Sequence, residues 1–150
     1  MKKFKFSLDS VLSYKQQVLD ALKGEYAAIL VEVREQEKTL DAVKNDYREY
    51  NEEYCQRKAE GLTITDAIMY QNGLRALEQD IEREKAKLDG LRKKEEEKRG
   101  EVIEAKKETS SLEKLREKKL EVYQKAVQKS EEAFVEEFVI SARTRGSASA

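Results

Sequence analysis

Few residues in this chain have side chains that could carry out catalysis or hold a metal ion. The 150 residues include no histidine and one cysteine, Cys55, so the commonest metal ligand and general base is absent. A cysteine-based zinc site and an intramolecular disulfide are excluded for the same reason. Neither a histidine nor a lysine is arranged to activate Cys55, so we expect no reactive thiolate. We therefore predict no catalytic residue and no metal site.

The other polar residues also fail to form a recognisable site. The six glycines are scattered and build no phosphate-binding loop. The 31 acidic residues are balanced by 30 basic ones, for a net charge of −1, which argues against nucleic-acid binding. Carboxylates are abundant, but extended helices offer no enclosed pocket that would drive their pKa values apart. The sequence predicts a protein that is not an enzyme and needs no cofactor.

The helices that would position any functional side chain are indicated by the spacing of apolar residues. In the first 60 residues, apolar side chains recur at alternating steps of four and three, which defines the apolar seam of a coiled coil. The members of this seam are Leu8, Leu12, Leu19, Leu22, Tyr26, Ile29, Val33, Leu40, Val43, Tyr47, Tyr50 and Tyr54. Lys15 and Gln36 interrupt it, and polar residues at seam positions fix the register at some cost in stability. The first helix is predicted over about 8–60.

A break in the pattern follows at residues 61–65. Gly61 can adopt the left-handed conformation that ends a helix, and Thr63 with Asp66 resembles a capping box that starts the next one. A second seam then continues to about residue 140, so the second helix is predicted over about 66–140, with a loose tail over 141–150. The predicted fold is all-α, and residues 1–150 form a single antiparallel coiled-coil hairpin.

The second helix is longer than the first and should extend past it. Pairing through the turn places residue i opposite roughly residue 126 − i, so residues from about 119 to 140 form an overhang. It carries the apolar residues Val122, Tyr123, Val127, Phe134, Val135, Phe138, Val139 and Ile140. A lone helix cannot bury these side chains, and we infer that a partner covers them.

The same pairing produces a mismatch halfway along the helices. It sets the apolar stretch 26–33 against the charged stretch 93–100. Either the helices repack locally, with lysine and arginine stems covering the apolar side chains, or this patch binds another molecule.

Four tyrosines gather near the turn, namely Tyr47, Tyr50, Tyr54 and Tyr70. Aromatic residues at heptad spacing can simply fill the seam between two helices. Tyrosines are also enriched at protein interfaces, because they combine a flat apolar ring with a polar group. Both interpretations stay open on the sequence alone.

The sequence also suggests a cellular location. The longest apolar run, 26–31, is far shorter than the roughly 20 residues of a membrane helix. The basic start of the chain is followed by polar residues rather than the apolar stretch of a signal peptide. We expect a cytoplasmic protein.

Three segments together resemble the FliJ family of flagellar export proteins. They are the opening stretch KFKFSLDSVL at 3–12, the stretch IMYQNGLRALE at 68–78 just past the turn, and LREKKLE at 115–121. The resemblance covers about 147 residues, essentially the full chain. The chain departs from the family at Gly73, where a bulky aromatic residue is often found.

The resemblance implies a role and a set of partners. Family members are coiled coils similar to the central stalk of rotary ATPases; they promote assembly and activity of the export ATPase FliI, contact the export gate protein FlhA and handle export chaperones. It also implies peripheral association with the cytoplasmic face of the inner membrane. We expect Phe134 and Phe138 to contact the ATPase ring. The gate contact is carried over to Tyr50, Tyr54, Tyr70 and Leu77.

Two alternatives share this architecture. One is the equivalent stalk protein of a virulence type III secretion system. The other is a structural coiled-coil adaptor that dimerises through its overhang and binds no ATPase.

Overall fold

The computed structural model describes residues 2–148 and contains two helices. Helix α1 spans Asp9–Glu60 and helix α2 spans Ile64–Ala148, with 52 and 85 residues. The two helices pack against each other, which confirms the all-α hairpin with a longer second helix. Within residues 2–148, neither helix contains an apolar stretch long enough to cross a membrane.

The turn between the helices is built as its residue types predict. Gly61 has a φ of +105°, a left-handed conformation that favours glycine, and its N–H donates to the Lys58 carbonyl at 3.4 Å. The Thr63 hydroxyl oxygen then accepts a hydrogen bond from the Asp66 N–H at 3.2 Å, which caps α2. Because Thr63 is the cap, α2 begins at Ile64 and the turn is shorter than predicted.

The end of α2 differs from the prediction. The helix continues to Ala148, so the expected end near residue 140 and the loose tail are wrong for residues 141–148. Side-chain hydroxyls bond back to the preceding turn, as Thr144 does to the Ile140 carbonyl at 2.9 Å. The chain has no proline, and a single glycine such as Gly146 costs a helix only about 1 kcal/mol, so nothing local stops it. Residues 149 and 150 lie outside the described residues.

Tertiary contacts group the chain into two units. Unit one comprises the described residues of Met1–Leu19 and Glu104–Ala150, and unit two comprises Asp20–Ile103. The core of unit two is a cluster of buried Val33, Leu40 and Leu88, with Ile29, Ile81 and Leu91 packed against it. The core of unit one contains three buried apolar side chains, those of Phe6, Leu12 and Leu19.

The polar interruptions of the seam are paired with polar partners across the helices. In unit two, the Gln36 side-chain amide donates to the Glu84 carboxylate and to the Glu84 carbonyl, the latter at 3.1 Å. This donated hydrogen bond lowers the pKa of Glu84 below its ordinary value. In unit one, Lys15 Nζ lies 2.7 Å from a Glu108 carboxylate oxygen. The predicted pairing put Lys15 opposite about residue 111 and Gln36 opposite about residue 90, so the observed partners lie about one and about two turns from the predicted register.

Inside unit two, polar side chains of α2 contact the start of the apolar stretch at the mid-helix mismatch. The Tyr26 hydroxyl donates to a Glu95 carboxylate oxygen at 2.8 Å. Lys98, whose side chain is only 23% exposed, pairs with Glu25 at 2.8 Å. Long polar side chains of α2 therefore pack beside this stretch, as local repacking predicts, while Val31 stays 53% exposed.

Candidate partner-binding surfaces

The end of α2 presents the two most exposed aromatic side chains of residues 2–148. Phe134 and Phe138, one helical turn apart, are 70% and 67% exposed. Together with Glu137 and Arg145, they line a shallow concavity along the helix. Val135, Val139 and Ile140 are exposed as well. The two predicted ATPase-contact residues therefore lie side by side on a free helix surface in unit one.

This surface is also strongly acidic. Residues 131–140 carry four glutamates and no lysine or arginine. Burial of one phenylalanine side chain contributes about 1.5–3 kcal/mol, so two adjacent ones can anchor a partner while the glutamates select a basic counterpart. We refer to residues 131–140 as the acidic apolar segment.

The first part of the predicted overhang has a partner within the chain, contrary to the sequence prediction. The N-terminal lead, residues 2–8, lies along α2, where the Phe4 ring packs on Tyr123 with centroids 5.5 Å apart. The Tyr123 hydroxyl donates to the Lys2 carbonyl at 2.6 Å, and Phe6 is buried. The prediction rested on pairing between helices alone. An extended segment rises more per residue than a helix does, so a short lead can run along a longer part of α2 than a helix of the same number of residues.

The lead and α2 enclose a basic groove. Its apolar floor includes Val122 and Tyr123, and its rim carries lysine side chains from both sides of the groove. These lysines are Lys2, Lys3, Lys5 and Lys119. We refer to this feature as the basic groove.

The tyrosines near the turn form a packed cluster in unit two. The Tyr70 ring lies 5.1 Å from that of Tyr50 and 5.2 Å from that of Tyr54, measured between centroids. Tyr54 and Tyr70 are buried, at 6% and 8% exposure. Lys58 Nζ lies 4.0 Å from the Tyr54 ring centroid, within cation–π range. Three of the predicted gate-contact residues are thus brought together, but two of them are core.

The hydroxyl group of Tyr70, in this cluster, is hydrogen-bonded as well. The Tyr70 hydroxyl donates to a Glu53 carboxylate oxygen at 3.0 Å. The pKa of Tyr70 is raised above its ordinary value, mainly by burial and secondly by this hydrogen bond. Tyr70 is therefore a positioned, neutral core residue rather than a free hydroxyl.

Gly73 is the reason why the Tyr50 ring can lie where it does. A Cβ placed on Gly73 would come within 2.6 Å of the Tyr50 Cε1 and hydroxyl oxygen. The Tyr50 ring thus fills the space that a side chain at position 73 would need. This explains in physical terms how the chain departs from the family pattern at Gly73.

The remaining predicted gate residue lies further along α2. Leu77 is half-buried and follows Tyr70 by two helical turns. Between the helices nearby, the Tyr47 hydroxyl donates to Glu78 at 3.2 Å.

Sequence reasoning missed three exposed apolar residues at the start of α2. Ile64, Ile68 and Met69 are 81%, 52% and 64% exposed. Their signal was present in the sequence, because apolar residues that lie off the seam must face solvent or a partner.

Cys55 is exposed and free. Among residues 2–148, no group of three or more acidic or cysteine side chains is arranged to hold a metal ion.

Comparison with known proteins gives one match. Residues 4–147 match the model of the family described as Flagellar FliJ protein. No curated protein and no solved structure matches the chain. The matched range covers nearly the whole chain, including the lead, the turn and α2 through the acidic apolar segment. The chain therefore belongs to the FliJ family, whose members are stalk-like components of flagellar type III protein export.

Proposed function

We propose that this chain is a stalk that promotes assembly and activity of the export ATPase FliI and links it to the gate protein FlhA and to export chaperones. It works by binding, without catalysis, as a cytoplasmic protein peripheral to the inner membrane. The observation that carries the proposal is the exposed pair Phe134 and Phe138 on the free surface of α2.

The exposed pair suits a contact within a ring. The acidic apolar segment is helical throughout, so its side chains are held at fixed spacing before a partner binds. Within residues 2–148, α1 and the lead leave Phe134 and Phe138 uncovered. A partner that buries both rings gains apolar contact at little conformational cost.

Stimulation would arise from differential binding. If the segment binds one conformation of the ATPase ring more tightly than another, it shifts the ring toward that conformation. A tenfold preference corresponds to about 1.4 kcal/mol, which is less than the burial of one phenylalanine can provide.

The gate contact belongs to the tyrosine cluster. Tyr50 and Leu77 are half-buried and can present an edge to a partner, whereas the buried Tyr54 and Tyr70 would act by holding the Tyr50 ring in position. Chaperone binding is attributed to the chain by its family alone.

The test is ATP hydrolysis by the export ATPase of the same organism, with and without this protein, at ATPase concentrations where few rings form. Wild-type protein should raise turnover. Phe134→Ala with Phe138→Ala should abolish the increase with unchanged helix content by circular dichroism, because both residues are exposed.

The matched control is Ile68→Ala with Met69→Ala. These residues are exposed apolar side chains of the same helix at its opposite end. The control should stimulate like wild type. Stimulation that survives in the phenylalanine variant would refute the assignment of the contact, and no stimulation by wild type would favour a structural adaptor.

A further inference from the structure

The basic groove has an apolar floor, a basic rim and no acidic residue in its lining. Val122, on the floor, is 66% exposed. Among the described residues, none of the four rim lysines pairs with a carboxylate, although other lysines of unit one do, such as Lys15 with Glu108. The groove therefore presents unneutralised positive charge around uncovered apolar surface.

An acidic, apolar helix is the occupant that such a groove fits. A helix would bury its apolar side chains on the floor, and its carboxylates would reach the rim lysines. The chain itself contains one stretch of this composition, the acidic apolar segment. In its own copy, this segment belongs to the same continuous helix as the groove and cannot fold back into it.

The segment also lies on the correct face. Glu137 follows Lys119 by 18 residues, and Ile140 follows Val122 by the same interval, which is about five turns of a helix with 3.6 residues per turn. The groove face of α2 is thus continued by Glu137 and Ile140. When two α2 helices lie antiparallel about a two-fold axis near residue 128, Glu137 of one copy comes alongside Lys119 of the other, and Phe134 comes alongside Val122.

We propose that the basic groove binds the acidic apolar segment of a second copy of this chain, in a symmetric exchange that forms a dimer. Each copy supplies one groove and one segment, so the interface is isologous and closes on itself. Each exchange brings the rim lysines to the face of the segment that carries Glu137 and covers apolar surface on both sides.

The dimer does not depend on the proposed ATPase contact, but the two would compete. Because Phe134 lies nearly one turn before Glu137 on the side of the helix that enters the groove, a chain in the dimer has part of the proposed ATPase-contact surface covered. Self-association would then keep an aggregation-prone apolar surface masked until a higher-affinity partner displaces the second copy.

The charges provide a mass-based test in solution. Light scattering coupled to size exclusion, over a range of micromolar concentrations, should show wild type passing from 17.4 kDa toward twice that mass. Lys3→Glu with Lys119→Glu reverses two of the four groove charges, and Glu136→Lys with Glu137→Lys reverses two of the four segment charges. Each double variant alone should stay monomeric, with its dimer dissociation constant raised about tenfold or more.

An equimolar mixture of the two double variants should recover the dimer. In the mixed dimer, the altered groove of one chain meets the altered segment of the other, so the reversed charges oppose each other again, and the unmodified groove meets the unmodified segment. Lys93→Glu with Lys94→Glu makes the same change in net charge on α2 away from the groove, and it should dimerise like wild type. Circular dichroism verifies that every variant keeps its helix content.

The proposal is overturned by any of three results. Wild type could stay at 17.4 kDa up to several hundred micromolar, in which case the groove takes another occupant. The two double variants could dimerise as well as wild type, or their mixture could stay monomeric. Since none of these measurements contains the ATPase, their failure leaves the proposed function untouched.

Discussion

Replacing Gly73 by alanine should reveal whether the Tyr50 ring occupies the space beside it. In a helix interior, glycine to alanine usually stabilises by about 1 kcal/mol, because alanine has the higher helix propensity. At position 73, the new methyl group would lie 2.6 Å from the Tyr50 ring, well inside van der Waals contact. The ring must move, and Tyr70 at 5.1 Å between centroids limits where it can go.

The expected change in the free energy of unfolding follows from two opposing effects, overpacking and helix propensity. Overpacking of this kind costs about 1–3 kcal/mol, against the gain of about 1 kcal/mol from helix propensity. Gly73→Ala should therefore change the free energy of unfolding by between about 0 and −2 kcal/mol.

Gly90→Ala is the matched control, since a Cβ at Gly90 meets no atom within 4 Å and the residue lies in the same helix and the same unit. It should stabilise by about 1 kcal/mol. Urea unfolding followed at 222 nm, with a shared m-value, measures both variants.

A double-mutant cycle isolates the contact. In the Tyr50→Ala background, the obstructing ring is gone, and Gly73→Ala should regain its stabilisation of about 1 kcal/mol. The reasoning is refuted if Gly73→Ala stabilises the otherwise unmodified chain as much as Gly90→Ala does, because the ring would then not occupy this space.

Two further predictions concern pH. Hydrogen bonds to Glu95 and Glu78 raise the pKa values of Tyr26 and Tyr47, and burial raises the pKa of Tyr70. The contribution of these tyrosines to stability is therefore present below the ordinary tyrosine pKa of about 10. It is lost as pH rises through the raised pKa values. Urea unfolding at pH 9 and 11 should show an alkaline loss that is smaller when all three are phenylalanine; an equal loss would contradict this. Donation from Gln36 lowers the pKa of Glu84, so this pair stabilises the fold above the ordinary pKa and its contribution is lost as pH falls through the lowered one. Gln36→Leu should return the pKa of Glu84 toward its ordinary value and flatten the acid loss of stability, and an unchanged titration of this carboxyl group by NMR would count against it.

The two polar positions within the seam illustrate how far sequence reasoning reached. Lys15 and Gln36 were expected to fix the register, and each has a polar partner across the helix pair, Glu108 and Glu84. The seam indicated that these residues face the second helix. It could not indicate which residue they meet, because a shift of a few residues along a coiled coil changes the partner while preserving the apolar pattern.

The tyrosine cluster shows a second limit. Spacing placed the tyrosines near each other, but the same spacing is compatible with a core and with an interface. The burial of Tyr54 and Tyr70 decides that these two rings are core, while Tyr50, beside Gly73, is only half-buried. Whether a tyrosine belongs to the core or to an interface depends on distances between the two helices. The spacing of residues within one helix does not contain this information.

The amino-acid sequence by itself determined the two helices, their turn at Gly61 and the apolar surface at Phe134 and Phe138. Those features depend on local interactions, namely hydrogen bonds within one turn, a cap three residues away and the period of one helix. Only the tertiary structure decided that the lead covers Tyr123, that Tyr50 fills the space at Gly73 and that lysines gather around a groove. These contacts join residues that are far apart in the chain, so they form only when the two helices pack together in one register.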